Sequence, residues 1–353
     1  MRGNTRVPIT ESKVRLRTRI GNILSNYGTI LILLFMILIM SILSPHFLTA
    51  NNLLNVIRQI SIICITALGV TMVIISGGID LSSGSIIAVV SVVSAVFAHP
   101  PDMLIEFLDG LNRLVNYPEV RVFPLIVPVM LGILIGGLLG LINGVVIAYG
   151  KIPPFVATLG MMASARGLAF LISNAKPVGS FTTEFLFIGR GSIFNIPFPI
   201  ILLFILVLIA HYIMAKTSFG RHVYAIGGNL NAAKAAGLNI KRHLLMVYSF
   251  SGMMAGIAGL VITSRITSGQ CGLGEGMEFD AITAAVVGGT SLAGGIGGMT
   301  GTLVGALIVG VLKNGLDLLG VSAYWKMIST GIIIVGAVLL DQRKHAIGSS
   351  SLS

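Results

Sequence analysis

Acidic side chains are scarce: twelve Asp and Glu stand against twenty-three Lys and Arg in 353 residues, and charged residues of both signs make up only 10% of the chain. Soluble domains carry about 25% charged residues, so a water-soluble fold is excluded. Cysteine is nearly absent. Its two copies, Cys64 in an apolar run and Cys271 far from it, build neither a disulfide framework nor a C-x-x-C site. There is no H-E-x-x-H, no G-x-S-x-G elbow and no G-x-G-x-x-G opening a helix. The single Gly-Lys pair, Gly150–Lys151, is followed by Ile152 where a phosphate-cradling loop needs Ser or Thr. The chain is therefore expected to be no enzyme, with no catalytic residues, no metal and no cofactor bound by itself. The excess of bases is dispersed over separated stretches, which argues against nucleic acid as a partner.

What is abundant is apolar sequence: 55% hydrophobic residues and a mean hydropathy of +0.97. It comes in uncharged runs close to the roughly 20 residues that cross a bilayer as helix. Spans are predicted at Tyr27–Leu43, Leu53–Ile75, Gly77–Ala98, Phe123–Tyr149, Phe155–Ile172, Ile196–Met214, Leu244–Ser264, Ala281–Leu292, Thr300–Leu316 and Trp325–Leu340. The expected fold is an all-α polytopic membrane protein of about ten transmembrane helices. The basic N-terminal arm precedes an apolar run without a small-residue cleavage site, so that run is taken as an uncleaved first span. The third span holds "GGIDLSSG" and the short eighth runs into "GGTSLAGG". Both are predicted to contain broken or re-entrant backbone, which survives at membrane depth only under cover of protein or water.

Charge sets the orientation. With the N-terminus inside, residues 1–26, 150–154, 215–243 and the tail 341–353 are inner segments and hold fourteen of the twenty-three bases. Most acids fall outside, among them Glu184, Glu275 and Glu278. This is the positive-inside pattern, with both termini cytoplasmic. The division is a basic arm at 1–26, a transmembrane domain at 27–340 and a tail at 341–353.

Glycine is used in two ways. Gly77, Gly78, Leu81 and Gly84 form GGxxLxxG, and Gly288, Gly289, Leu292 and Gly295 repeat it 211 residues later. Glycine-interrupted segments at matching places mark the pathway in transporters built from structural repeats; chance in a chain with 44 glycines is the other reading. Separately, Gly132, Gly136, Gly140 and Gly144 lie four apart, as do Gly252/Gly256 and Gly301/Gly305. Such spacing lets helices approach closely in lipid, within one subunit in preference to between subunits.

Ionisable residues at membrane depth are few, chiefly Asp80 and Arg166. Asp80 either caps the half-helix starting at Ser82 or stands on a pathway. Between two apolar runs, "RHVYAIGGNLNAAKAAGLNIKRH" (residues 221–243) reads as a short exposed helix. Asn229 or Asn231 is its N-cap, an alanine face follows, and Gly237 is its stop. Such a face suits close approach by a partner protein; a solvated connector is the alternative.

The run "FGRHVYAIGGNLNAAKAAGLN" with "GGIDLSSGS", "GLINGVVIAYGKIPPFVATLG" and "DAITAAVVGGTSLAGGIGGMTGTLVGALIVGVLKNGLDLLGVSAYW" resembles the permease subunits of bacterial ABC importers for monosaccharides, of the ribose/galactose/xylose class. The resemblance runs over about residues 20–345. It implies a second permease subunit, two cytoplasmic ATPases that carry ATP and Mg²⁺, an extracytoplasmic sugar-binding protein, and the bacterial cytoplasmic membrane as location. It also implies that Gly227, Gly228, Asn229, Ala232, Ala233 and Gly237 form a coupling helix docking on the ATPase. Alternating access then moves a monosaccharide past polar residues such as Asp80, Asn143 and Thr158. One departure from the family pattern is a long outer loop at 99–122, where Leu104, Phe107, Leu108, Leu111, Leu114 and Val115 predict a surface helix. An ion-coupled carrier for a small neutral solute and a non-transporting scaffold subunit are the alternatives.

Overall fold

The computed structural model describes residues 28–98 and 123–350. The basic arm at 1–26 and the surface helix expected within 99–122 lie outside the described residues, as does the tail beyond Ser350. The described chain is mainly helical, with irregular connections and two short antiparallel pairings, Val178–Gly179 with Ser268–Gly269 and Ser192–Ile193 with Ile196–Pro197.

The helices are numbered in chain order over the described residues. They are α1 (Gly28–Leu43), α2 (Ala50–Ile75), α3 (Ser83–Phe97), α4 (Ile126–Ala148), α5 (Pro154–Ser173), α6 (Thr183–Arg190) and α7 (Phe198–Lys216). There follow α8 (Ser218–Gly228), α9 (Leu230–Ala235), α10 (Ile240–Ile266), α11 (Met277–Val287), α12 (Met299–Leu318) and α13 (Ala323–Ser350). Six of these, α2, α4, α5, α7, α10 and α12, are long and apolar enough to cross a membrane. The apolar stretches of α1, α3 and α13 are shorter, and α11 has only 11 residues.

Burial sorts the helices into an inner and an outer set. On α2 every residue from Ile60 to Ile75 is buried, as a helix apolar on all sides must be when it sits at the centre of a bundle. The outward faces of α4 and α7 expose Leu134, Leu138 and Phe204, the composition expected of a lipid-facing surface. Between α2 and α12 two of the contacts are polar. Asn52 and Asn314 exchange amide hydrogen bonds, each 2.9 Å, and the Thr71 and Thr302 hydroxyls meet at 2.7 Å. Because the early residue of one helix meets the late residue of the other at both points, the two run antiparallel. Interhelical hydrogen bonds of this kind bind helices where apolar burial no longer does.

The four-residue glycine spacing packs α4 against α10 inside one chain. A Cβ added to Gly140 would stand 3.0 Å from the Gly252 Cα, and one added to Gly256 would stand 2.6 Å from the Gly132 carbonyl oxygen. Backbone therefore lies on backbone along this seam. Gly305 packs on α11 in the same manner, its added Cβ 2.9 Å from Gly288 N.

Candidate functional site

Two helices end in the same way at the repeated glycine pattern. Past the end of α2, Ser76 N donates to Met72 O at 3.1 Å, Gly77 N to Ile74 O at 2.9 Å and Gly78 N to Val73 O at 3.0 Å. Past the end of α11, Gly288 N donates to Ala284 O at 3.0 Å, Gly289 N to Val286 O at 2.9 Å and Thr290 N to Ala285 O at 2.9 Å. Both are Schellman stops, which need a left-handed residue. That residue is Gly77, with φ +84°, in the first and Gly289, with φ +95°, in the second. The geometric repeat therefore pairs the first glycine of one motif with the second of the other, one residue out of step with the sequence pattern. Gly78 and Gly288 serve close approach instead. A Cβ on Gly78 would press on the Tyr248 hydroxyl, and one on Gly288 would stand about as close to the Gly301 backbone.

These two broken ends meet the loop between α7 and α10 in a junction made almost wholly of glycine. Gly295, with φ +73°, donates its N–H to Ile75 O at 2.9 Å. A Cβ on Gly227 would fall on Ile75 O and 2.7 Å from Gly295 N. A Cβ on Gly294 would be 3.1 Å from Gly77 Cα, and one on Gly295 would be 2.7 Å from Gly228 Cα. Tyr224 on α8 donates its hydroxyl to Gly297 O at 2.8 Å, and burial pushes its phenol pKa up. The last turn of α8 is thus wedged between the end of α2 and the 288–298 turn, with no side chain in between to absorb displacement.

Beyond the wedge, α9 has the caps the sequence predicts. Asn229 is extended and its side chain accepts from Ala232 N at 2.9 Å, while Gly237 takes φ +79° as Leu238 N closes on Ala233 O at 3.1 Å. Only the facing differs. Ala233 is buried against its own chain, whereas Ala232, Ala235, Ala236 and Gly237 are exposed. The loop is fastened to α10 by the His222 Nδ1–His243 Nε2 contact at 3.0 Å and by Phe219 stacked on His243 at 5.8 Å.

Asp80, Asn143 and Thr158 do come together, around the irregular stretch between α2 and α3. Asp80 accepts from the Ser82 N–H at 2.9 Å and hydroxyl at 2.6 Å, and from Ser251 at 2.7 Å. Asn143 donates to the Ser82 hydroxyl at 2.8 Å, and Thr158 to Ile79 O at 3.2 Å. All three are buried. Asp80 holds Ser82, itself the N-cap residue of α3, and bonds none of the N–H groups inside the helix. Gly84 lies one turn on, against Glu278 and Gly274. Glu278, grouped by sequence with the outer acids, is buried at the start of α11. Arg166 donates to Cys271 O at 2.6 Å and Leu273 O at 2.9 Å. Both cysteines are free thiols. Tyr224 and Gly294 belong to the junction without having been singled out in the sequence. A third glycine before "GIGG" is the only signal for the latter, and nothing local marks the former.

The comparisons with known proteins agree with a transport scaffold. Residues 52–338 match the family described as "Branched-chain amino acid transport system / permease component". The ribose import permease protein RbsC of Bacillus subtilis (strain 168) is 41% identical over 339 residues, covering 96% of this chain and 98% of the relative. RbsC of Escherichia coli (strain K12) is 40% identical over 90% of this chain and 94% of its own length. The galactose/methyl galactoside import permease protein MglC of that strain is 36% identical over the same shares of the two chains. No solved structure matches. With glycine-broken helices joined to an exposed loop and a family match that takes in every one of its long apolar helices, the chain belongs to this family of membrane transport permeases.

Proposed function

We propose that this chain is the membrane-spanning permease of a binding-protein-dependent ABC importer for a monosaccharide, seated in the bacterial cytoplasmic membrane with ten spans and both termini inside. The family description mentions amino acids, but relatives matching nearly end to end at about 40% identity are named for ribose. A neutral polyol also fits a chain with so few fixed charges at membrane depth, because hydroxyls need hydrogen bonds and no counter-ion.

The observation that carries the mechanism is the glycine junction. ATP binding on two partner ATPases moves the α8–α9 segment. With backbone against backbone at Gly227, Gly295 and Ile75, that movement passes directly to both broken helices. The spans then change the side to which the passage opens, and sugar handed over by an extracytoplasmic binding protein moves inward past the polar cluster of Asp80, Asn143 and Thr158. The ATPase docks on the exposed side of α9, at Ala232, Ala235, Ala236 and Gly237, while Ala233 seats the helix on its own chain. A second permease subunit, the same chain or a related one, completes the passage.

The test replaces Ala235 by Glu in the complex reconstituted with its ATPase and binding protein. Docking should weaken by on the order of a hundredfold if the two-turn contact holds an interface hot spot, with sugar uptake lost and the membrane domain still folded. Wild-type assembly and coupling in Ala235→Glu would show that α9 is a solvated connector.

A further inference from the structure

The stretch from Gln270 to Gly276 is irregular backbone packed between helices. It runs along α3: a Cβ on Gly269 would lie 2.7 Å from Ser91 O, and a Cβ on Gly274 would lie 2.9 Å from the Ile87 Cβ. Arg166, the thirteenth residue of α5 and so about 18 Å along that helix, reaches the carbonyls of Cys271 and Leu273. The stretch is nevertheless open on one side. Gly272 and Gly276 would place a Cβ in empty space, and Gln270 and Glu275 are exposed. Lipid satisfies neither a bare peptide group nor a carboxylate, so the open side faces water or protein.

At the lower end of this stretch the first turns of α3 and α11 meet. A Cβ on Gly84 would lie 3.2 Å from the Glu278 carboxyl carbon. The N-terminal ends of both helices, each carrying partial positive charge, thus converge on one carboxylate. Glu278 is 5% exposed and its Oε2 has no hydrogen-bond partner; the Ser83 hydroxyl beside Gly84 is fully buried and also has none. A carboxylate oxygen without a hydrogen-bond partner is expensive to bury, and among the described residues none bonds Oε2.

We propose that Glu278, with Ser83, is a hydroxyl-recognition point for a neutral polyol in transit, reached from the open side of the Gln270–Gly276 stretch. The reading rests on the sugar-permease function above. Adjacent sugar hydroxyls donate to Oε2 and to the serine oxygen when α3 and α11 part. Arg166 is a positioning residue that holds the stretch by its carbonyls and leaves its backbone lining the passage.

The experiment uses the full complex in proteoliposomes and reads sugar taken up per ATP hydrolysed. Glu278→Gln should lower this ratio at least about tenfold, consistent with one lost hydrogen bond to a charged group, and Ser83→Ala should lower it several-fold. Thr263→Val, which removes another buried hydroxyl without a partner, should leave it unchanged. An unchanged ratio in Glu278→Gln overturns the assignment. So does a loss of uptake fully explained by less assembled complex, which would make the residue structural. In the wild-type protein a hydrophilic thiol reagent should modify Cys271 and not the buried Cys64; an unreactive Cys271 would show that this side is dry and overturn the assignment. A wild-type complex that takes up no monosaccharide removes the sugar reading itself, and this assignment with it.

Discussion

Replacing Gly227 by alanine puts a single methyl group into the three-way junction. Its Cβ would overlap Ile75 O and come within 2.7 Å of Gly295 N and 2.9 Å of the Ile75 carbonyl carbon. All three are backbone atoms that cannot rotate away. The end of α8 must therefore move off by on the order of 1 Å, and overpacking of this kind costs about 1–3 kcal/mol. The displacement also strains the Gly295 N–H to Ile75 O bond, whose loss in a buried setting is worth about 1–3 kcal/mol. Together about 2–6 kcal/mol then separate this variant from wild type. Gly228→Ala is its internal control, since a Cβ there meets nothing within 4 Å and surface substitutions of this kind stay within about 0.5 kcal/mol. Thermal unfolding of the purified protein should be lowered in Gly227→Ala and not in Gly228→Ala, and uptake per ATP should follow the same order. Equal behaviour of the two variants in both assays would refute the claim that the junction is tight and transmits movement.

Other outcomes follow from the same geometry. Gly140→Ala on the α4–α10 seam should destabilise by about 1–3 kcal/mol, while Gly167→Ala, whose Cβ faces open space, should not; chemical denaturation of the two proteins in detergent compares them. Gly289→Leu should fail because of its left-handed φ and Gly78→Leu because of the Tyr248 hydroxyl, both losing transport while still inserting in the membrane. The raised phenol pKa of Tyr224 means its contribution is fully present below the ordinary value of about 10 and is lost as pH rises through the folded value. Unfolding followed from about pH 8 to about pH 11 should show that loss in wild type and not in Tyr224→Phe. A cysteine at Asn239 should react only from the cytoplasmic side of sealed cells, and external labelling would overturn the ten-span orientation.

Local chemistry made part of this architecture legible. Asn229 and Gly237 are cap residues whose effect depends on neighbours within a few positions, so α9 could be read closely. The glycine seam declared itself because a spacing of four puts all members on one face. The repeated GGxxLxxG pointed to two broken ends, yet it misjudged the register by one, since which glycine turns left-handed depends on where the preceding helix stops. Ala233 and Glu278 were harder. Whether a small helix shows one alanine or another to solvent is decided by the body it rests on. Glu278 follows "GQCGLGEG", which reads as a loop, and its depth is set only by the packing of that stretch on α3. The helix of the eighth span is confined to Met277–Val287 for the same reason, with turns and irregular backbone at 270–276 and 288–298 on either side of it.

The glycine seam between α4 and α10 has a mechanical consequence. Side chains that interdigitate can slide by changing rotamer, but two backbones in contact through Gly132, Gly136, Gly140, Gly252 and Gly256 have no rotamers to change. The pair behaves as a single stiff lever about 40 Å long, the length of the 27 residues of α10. Its near end, at Ile240, adjoins the α8–α9 segment, and its far end, at Ile266, leads by way of Ser268–Gly269 to the Cys271 stretch. Under the proposed mechanism, a tilt applied at one end of this pair reaches the other end without any helix having to bend.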